Sequence, residues 1–172
     1  MTQDDTLNQY IREAIEMIIA NENYLVLKAD QNSPRKKQPY CTVKVLSSKG
    51  NSLEEFSSKD YGTTDTTMTT SVLRSILVSF NFFKNDSTES DPYYLASLCR
   101  QSLMRETVRA NLKKNGLGLL TRGNTKNMTF ELDNGFEERA NFTASFSYVD
   151  TDSEVLTTIS TAEISGNIDY IE

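Results

Sequence analysis

The chain has 172 residues, a net charge of -6, and neither histidine nor tryptophan. Its length matches about one domain with a hydrophobic core, so we expect residues 1–172 to form a single domain. Without histidine, the chain cannot use imidazole acid-base catalysis, histidine-activated nucleophiles or histidine-ligated zinc. We therefore predict a protein that is not an enzyme, with no catalytic, cofactor-binding or metal-binding residues.

The sequence predicts neither a membrane protein nor a secreted one. Its longest apolar runs are far shorter than the ~18 residues that a membrane span needs, and residues 1–5 are polar and acidic, unlike a secretory signal. We expect a protein that stays in the cytosol where it is made and does not contact a membrane. Cys41 and Cys99 fit no metal or redox spacing, so we interpret both as buried small hydrophobic residues.

The first third of the chain predicts one helix and two strands. Apolar residues at helical spacing predict a helix over residues 6–20, with Asp5 as its N-cap. Residues 24–29 are short and β-prone, and they lead into an exposed loop at 30–39 that contains two prolines. Residues 40–46 alternate as a half-buried strand does. The inward side chains of this strand are Cys41, Val43 and Val45.

The middle of the chain predicts a polar tip, a long strand and two helices. Residues 47–67 are polar and predict a long loop or a hairpin tip. Residues 68–84 predict a long strand because they are β-branched and alternate. Asp91 and Pro92 form an N-cap and first position typical of a second helix. A shorter helical piece should end near Gly116, the expected C′ residue. The inward side chains of the long strand are Ile76, Val78, Phe80 and Phe82.

The clearest strand covers residues 136–149, where apolar and polar side chains alternate without interruption. A turn at 150–153 and a last strand at 157–165 should follow it. Glu137 and Glu138 point to opposite faces of a strand, so we expect an ion pair with Arg139 rather than paired catalytic carboxylates. The element order predicts an α+β fold with two or three helices packed on one face of a mainly antiparallel sheet. The apolar face of this strand consists of Ala140, Phe142, Ala144, Phe146 and Tyr148.

Charge is distributed unevenly along the chain. Residues 1–32 carry a net charge of -4, residues 33–128 one of +7 and residues 129–172 one of -9. Within the middle, residues 100–126 hold seven basic side chains and one acidic side chain. This basic segment is either a solvated helix face or a contact surface for an acidic partner or a nucleic acid. The acidic pI near 4.8 argues against nucleic acid.

Two short motifs imitate ligand sites and are discounted. Gly116-Leu117-Gly118 begins like a dinucleotide fingerprint, but it follows a helical segment and lacks the third glycine. The alternating carboxylates of residues 150–154 lack the glycine and the final carboxylate that a calcium-binding loop requires. Neither motif therefore predicts a cofactor.

Three segments resemble the phage neck-terminator family, which is similar to tail terminators. The first resembles that family's "N-Q-N-x-P-R … P-Y-x-T-x-x-V" stretch, the second its acidic-Arg-Ala entry into the last long strand, and the third its closing strand. The matching order spans nearly the whole chain, although the polar tip at 51–65 differs from the family. The three segments are Ala29-Asp30-Gln31-Asn32-Ser33-Pro34-Arg35 with Pro39-Tyr40-Cys41-Thr42-Val43-Lys44-Val45-Leu46-Ser47-Ser48, then Glu137-Glu138-Arg139-Ala140, and Ile159-Ser160-Thr161-Ala162-Glu163-Ile164-Ser165-Gly166.

The resemblance implies a structural virion protein that terminates the tail tube or joins the tail to the head connector. It implies a homohexameric ring at the neck of a tailed phage, assembled in the host bacterial cytoplasm, that contacts the tail tube protein and the head connector. DNA would pass through the lumen without being bound specifically. The alternative is a small regulatory or nucleic-acid-binding module that uses residues 100–126. A carboxylate hydrolase has only the 24 acidic residues in its favour.

A ring needs contacts along its axis and between its subunits. We predict that the basic loop next to the first long strand makes axial contacts, and that charged residues from the basic and acidic segments meet between neighbouring subunits. The predicted axial residues are Asn32, Pro34, Arg35, Lys36, Lys37 and Tyr40. The predicted subunit-interface residues are Arg105, Arg109, Lys113, Arg139, Glu154, Glu163 and Asp169.

Overall fold

A computed structural model describes residues 3–20, 22, 24–30, 39–61, 65–84, 91–132 and 135–157. These residues form an α+β fold, as the sequence predicts. The helices are α1 (Gln3–Ile19), α2 (Pro92–Ser102) and α3 (Glu106–Lys114). The strands are β1 (Leu25–Lys28), β2 (Tyr40–Tyr61), β3 (Asp65–Phe83), β4 (Gly118–Arg122), β5 (Lys126–Asn127), β6 (Phe130–Leu132), β7 (Gly135–Glu137) and β8 (Arg139–Thr157).

The main sheet is built around the long strands β3 and β8, which pair over their full length. Its order is β1-β2-β3-β8-β4, and β5 also pairs with β8. Only β1 and β2 run parallel among the described strands of this sheet. β6 and β7 form a separate two-stranded sheet. The sheet is therefore mainly antiparallel, as predicted.

One face of the main sheet forms the core. Buried side chains recur at every second position along β3 and β8, as a half-buried strand requires. The ring of Phe142 lies 4.7 Å from that of Phe80 and 6.1 Å from that of Phe82. Helix α2 packs against β3 and β8, and helix α1 packs against β1 and β2. The predicted inward residues confirmed as buried are Cys41, Val43, Ile76, Val78, Phe80, Phe82, Ala140, Phe142, Ala144, Phe146 and Tyr148, and Val45 packs against them partly buried.

Helix α1 begins earlier than the sequence predicts. It starts at Gln3, so Asp5 lies in the first turn and is not the N-cap. The carboxylate of Asp5 forms an ion pair with Lys28 of β1, which gives this side chain a partner outside its own helix. An acidic residue in the first turn also stabilises a helix through its dipole. Asp5 therefore helps hold α1 against the edge of the sheet.

The predicted start of α2 and the predicted end of α3 are both confirmed. The Asp91 side chain accepts a hydrogen bond from the Tyr93 backbone N–H at 2.8 Å, and Pro92 opens the helix. Helix α3 ends at Lys114, and Gly116 has a φ of 73°, the left-handed conformation that glycine adopts without strain. This glycine turns the chain directly into β4.

Replacing Asp91 with alanine should destabilise the protein by about 1 kcal/mol, because the Tyr93 N–H would lose its partner. Asp91→Asn should keep most of the stability, since an asparagine side chain caps a helix equally well. Urea unfolding followed by circular dichroism measures both values. Equal stability of the alanine and asparagine variants would show that the cap hydrogen bond does not contribute.

Two polar segments extend the sheet where the sequence predicts a loop or a turn. β2 and β3 pair from the body of the sheet to Tyr61 and Thr66, so the described residues 47–61 and 65–67 are paired strands, as in the hairpin alternative, and not a loop. The turn predicted at 150–153 is wrong, because β8 continues to Thr157 and pairs with β3 without a register shift. We call this three-stranded extension, made of residues 55–61, 65–72 and 150–157, the blade.

Cross-strand pairing explains why these polar residues stay extended. The Ser71 and Thr151 hydroxyls lie 3.3 Å apart, as do those of Thr69 and Ser153. The Arg74 guanidinium lies 2.6 Å from the Asp150 carboxylate. Such pairs contribute ~0.2–1 kcal/mol each, and a turn at 150–153 would abolish them. Of the closing strand predicted at 157–165, all but Thr157 lies outside the described residues.

The strand predicted over 136–149 changes its partner at Glu138. Before this residue β7 pairs with β6, and from Arg139 onward β8 pairs with β3. The predicted residues are extended on both sides of Glu138, but the prediction of one continuous strand is wrong at that residue. The predicted ion pair is confirmed: Arg139 lies 3.1 Å from Glu137, while Lys84 lies 3.1 Å from Glu138. The two carboxylates bind different cations and do not converge.

Candidate assembly surfaces

Helix α3 presents a row of cations. Arg105, its N-cap, is followed by Arg109 and Lys113 at intervals of four residues, which places all three on one side of the helix. All three are exposed, whereas Val108 and Leu112 are buried and fix the neighbouring side of the helix against the body. The structure therefore brings together three of the predicted subunit-interface residues. We call Arg105, Arg109 and Lys113 the cationic row.

Two other basic side chains of residues 100–126 bind backbone carbonyls within the fold. Arg100 Nε donates a hydrogen bond to the Gly123 carbonyl at 2.6 Å, and Arg122 donates one to the Arg100 carbonyl at 2.8 Å. These reciprocal bonds tie α2 to the end of β4. Fewer basic side chains are therefore available for surface contacts than the seven that residues 100–126 contain. Besides the cationic row, the exposed basic residues of this segment are Lys114 and Lys126.

An open groove of about 770 Å³ lies between α3 and β4. Its floor is apolar, and two members of the cationic row lie at its wall. β4 is the last strand of the main sheet, and within the described part of the chain it pairs only with β8. The groove therefore runs beside a sheet edge that has backbone groups available for another strand. The groove is lined by Met104, Glu106, Arg109, Ala110, Lys113 and Leu119, among others.

The sequence does not predict this groove. Its apolar floor comes from short segments of α3, the following turn and β4, and a strand of five residues is too short to show a clear period. The only signal is the short apolar sequence Leu117-Gly118-Leu119, whose three residues line the groove.

The blade carries the opposite charge. Asp150, Asp152 and Glu154 occupy alternate positions of β8, so their side chains share one face. Asp150 is paired with Arg74, whereas Asp152 and Glu154 are exposed. Glu154 lies seven residues beyond Ser147, which pairs with Gly118 of β4, so the two points are ~23 Å apart along β8. Glu154 is therefore well separated from the cationic row of the same chain.

Two further predicted residues meet on the outer face of the sheet. Tyr40 stacks on Phe83 with 4.6 Å between ring centroids, and the Arg139 guanidinium lies 4.5 Å from the Phe83 ring. Arg139 also pairs with Glu137, which is buried. Tyr40 and Arg139 were predicted for different interfaces, yet both contact one phenylalanine. This cluster holds the beginning of β2 beside the beginning of β8.

The remaining predicted residues lie outside the described part of the chain. They stay predictions, because nothing can be said of their positions. These residues are Asn32, Pro34, Arg35, Lys36 and Lys37 of the predicted axial loop, and Glu163 and Asp169 of the predicted subunit interface.

The two cysteines are confirmed as buried small side chains without nucleophilic character. Both are free and fully buried. Burial raises the pKa of the Cys41 thiol well above its ordinary value and raises that of Cys99 to about 12, with a smaller contribution from Glu22. Both thiols are therefore protonated at neutral pH, and a thiol is a poor nucleophile.

The described residues show no metal cluster and no membrane-crossing helix. No three His, Cys, Asp or Glu side chains among them lie close enough together to hold a metal ion. Likewise, no helix in the described ranges is long and apolar enough to cross a membrane.

The structure presents surfaces that are suited to contacts with other proteins. A rigid sheet holds a cationic helix, a groove at a strand edge and an acidic blade. The family model of the phage neck terminator protein matches residues 4–172. The chain therefore belongs to the phage neck terminator family and is a structural component of the phage tail and neck. Comparison with curated proteins gives no match.

Proposed function

We propose that six copies of this chain form a closed ring at the neck, which ends the tail tube and joins the tail to the head connector. The observation that carries this proposal is the separation of charge between the cationic row and the blade. A chain that carries its cations on α3 and its exposed carboxylates on the far part of β8, ~23 Å along that strand from its pairing with β4, is suited to head-to-tail contacts. A ring is the closed form of such contacts.

Charge sets the direction of these contacts. The cationic row of one copy attracts the blade of the next, whereas two cationic rows or two blades repel each other. Exposed Asp152 and Glu154 are the described acidic partners, and Glu163 and Asp169 belong to the same negative segment. Arg139 contributes least to this interface, because Glu137 already pairs with it.

The axial contacts of the ring are assigned to the basic loop that precedes β2. In this proposal its residues Arg35 to Lys37 contact the tail tube protein or the head connector, and DNA passes through the lumen without specific recognition. The stacking of Tyr40 on Phe83 supports the assignment, because it anchors the chain where it enters β2. Assembly takes place in the host cytoplasm.

Ring formation should weaken as salt concentration rises. At about 1 M salt the Debye length falls to ~3 Å, which screens the exposed pairs between the cationic row and the blade. Each such pair contributes only ~0.2–1 kcal/mol, but the ring repeats every pair at each interface. Light scattering across a salt series at fixed protein concentration measures the loss. Assembly that is unchanged or strengthened by salt would show that the charge separation serves another partner.

Two isosteric variants test whether assembly depends on the charge of the blade in particular or on the negative charge of the chain in general. Glu154→Gln should lower the ring population at low salt, whereas Glu16→Gln should leave it unchanged, because Glu16 is an equally exposed carboxylate that lies on α1, outside the blade. Native mass spectrometry and electron microscopy of the purified chain test the ring itself. A monomer that retains DNA in a salt-sensitive manner would instead support the nucleic-acid-binding alternative.

A further inference from the structure

We infer that residues 158–172 of one copy add as a strand to the edge of β4 in the next copy, with alternate side chains in the groove between α3 and β4. The inference rests on the proposed ring and names the contact that closes it. Adding a strand to a sheet edge gives affinity through backbone hydrogen bonds and specificity through the side chains that enter a neighbouring groove.

The groove has the chemistry to hold an extended acidic and apolar segment. Its lining combines the apolar side chains of Met104 and Leu119 with the cations of Arg109 and Lys113. Met104 is 48% exposed, a large apolar surface for a side chain at the mouth of a groove. The edge of β4 supplies the backbone donors and acceptors beside it.

The sequence of residues 158–172 combines an alternating apolar pattern with negative charge, which matches the apolar and cationic lining of the groove. Its even positions from 162 to 170 hold Ala162, Ile164, Ile168 and Tyr170, with Gly166 between them, so an extended chain would present an apolar face. The odd positions between them are polar and include Glu163 and Asp169. The segment has three acidic residues and no basic residue, opposite in sign to the cationic row.

The length of the segment favours the groove of a neighbouring copy over its own. Thr157 lies ten residues beyond Ser147, the partner of Gly118, and is therefore ~34 Å from the groove along β8. Returning to its own β4 would use about ten of the fifteen residues merely to cover that distance. The apolar positions 162 and 164 would then not reach the groove. A neighbouring copy placed beside the blade can receive the whole segment.

Disulfide trapping in the full-length chain tests this contact. One chain carries Ala110→Cys in the groove, and a second carries Ile164→Cys in the segment. Mild oxidation of their mixture joins two thiols into one disulfide, and the covalent dimer is counted on a non-reducing gel. The native cysteines are buried and do not react. Thr107→Cys replaces Ala110→Cys in the control, because Thr107 is exposed on the same helix but does not line the groove.

We expect a dimer from the Ala110→Cys mixture and none from the Thr107→Cys mixture. Lys113→Glu should reduce the dimer yield about fivefold, the effect of one exposed ion pair near 1 kcal/mol. Lys114→Glu should leave the yield unchanged, since Lys114 is an equally exposed neighbour that does not line the groove. Circular dichroism confirms that each variant is folded.

The outcomes separate this contact from the ring itself. Rings by native mass spectrometry without the Ala110–Ile164 dimer would overturn the inference and leave the proposed function intact. An internal disulfide in a chain that carries both substitutions, with no dimer in the mixture, would place the segment in its own groove and would also overturn it. A Lys113-dependent dimer in a sample that forms no rings would support the contact and overturn the ring.

Discussion

Phe142→Ala is expected to destabilise the protein by about 3–5 kcal/mol. The Phe142 side chain is fully buried, and its ring stacks on Phe80 and lies close to Phe82 at the centre of the sheet. Alanine would leave a cavity there that the paired strands β3 and β8 cannot close, because their register is continuous. Urea unfolding gives the loss directly as a shift in the midpoint.

The neighbouring residue supplies the control for this prediction. Thr143 points to the opposite face of β8 and is only partly buried, so Thr143→Ala should change the free energy of unfolding by less than about 0.5 kcal/mol. Similar small losses for both variants would mean that Phe142 is not packed in the core and that the assignment of the faces of β8 is wrong. A shift of register by one residue has that consequence.

Phage that lack this protein should produce heads and tails that fail to join, or tails of uncontrolled length. The expectation follows from the proposed ring, which ends the tube and provides the surface for the head connector. Electron microscopy of lysates from a deletion strain shows the outcome. Supplying the intact chain from a plasmid is the control and should restore joined particles. Normal joined particles from the deletion strain would contradict the proposed function.

Alternation of apolar and polar residues is sufficient to predict the core of this fold. Along residues 139–149 one face of the strand is buried and the other is partly exposed to solvent. The alternation of apolar and polar residues in this sequence therefore predicts directly which side faces the core. The start of α2 and the end of α3 are predictable because Asp91, Pro92 and Gly116 have local conformational preferences that act before any tertiary contact forms. The start of α1 is not, because the helix begins two residues before Asp5.

Most of the blade could not be predicted from the same pattern, although residues 68–72 belong to the strand predicted at 68–84. Most of its residues are Ser, Thr, Asp and Glu, and Ser and Asp favour turns. Their extended conformation depends on partners far away in sequence, such as Asp150 with Arg74 and Thr151 with Ser71. β4, β5 and β6 were missed because strands of two to five residues show too little of any period.

The candidate surfaces were predicted in part. A count of charges was enough to find the cationic row, because a spacing of four residues on a helix fixes a common side. The same count could not show that Arg100 and Arg122 bind backbone carbonyls within the fold. The groove was not predicted, since it joins a helix to the edge of a strand that the sequence does not reveal.

The unbroken pairing of β3 with β8 has a mechanical consequence. Nineteen consecutive residues of each strand pair from the core to the tip of the blade without a bulge. A force applied to the tip along the strands therefore loads the whole ladder of hydrogen bonds in shear, and the bonds share it. A force that peels the tip sideways would load the bonds one at a time. The blade should thus resist pulling along its length far better than bending, which would suit its contact with a neighbouring copy in the proposed ring.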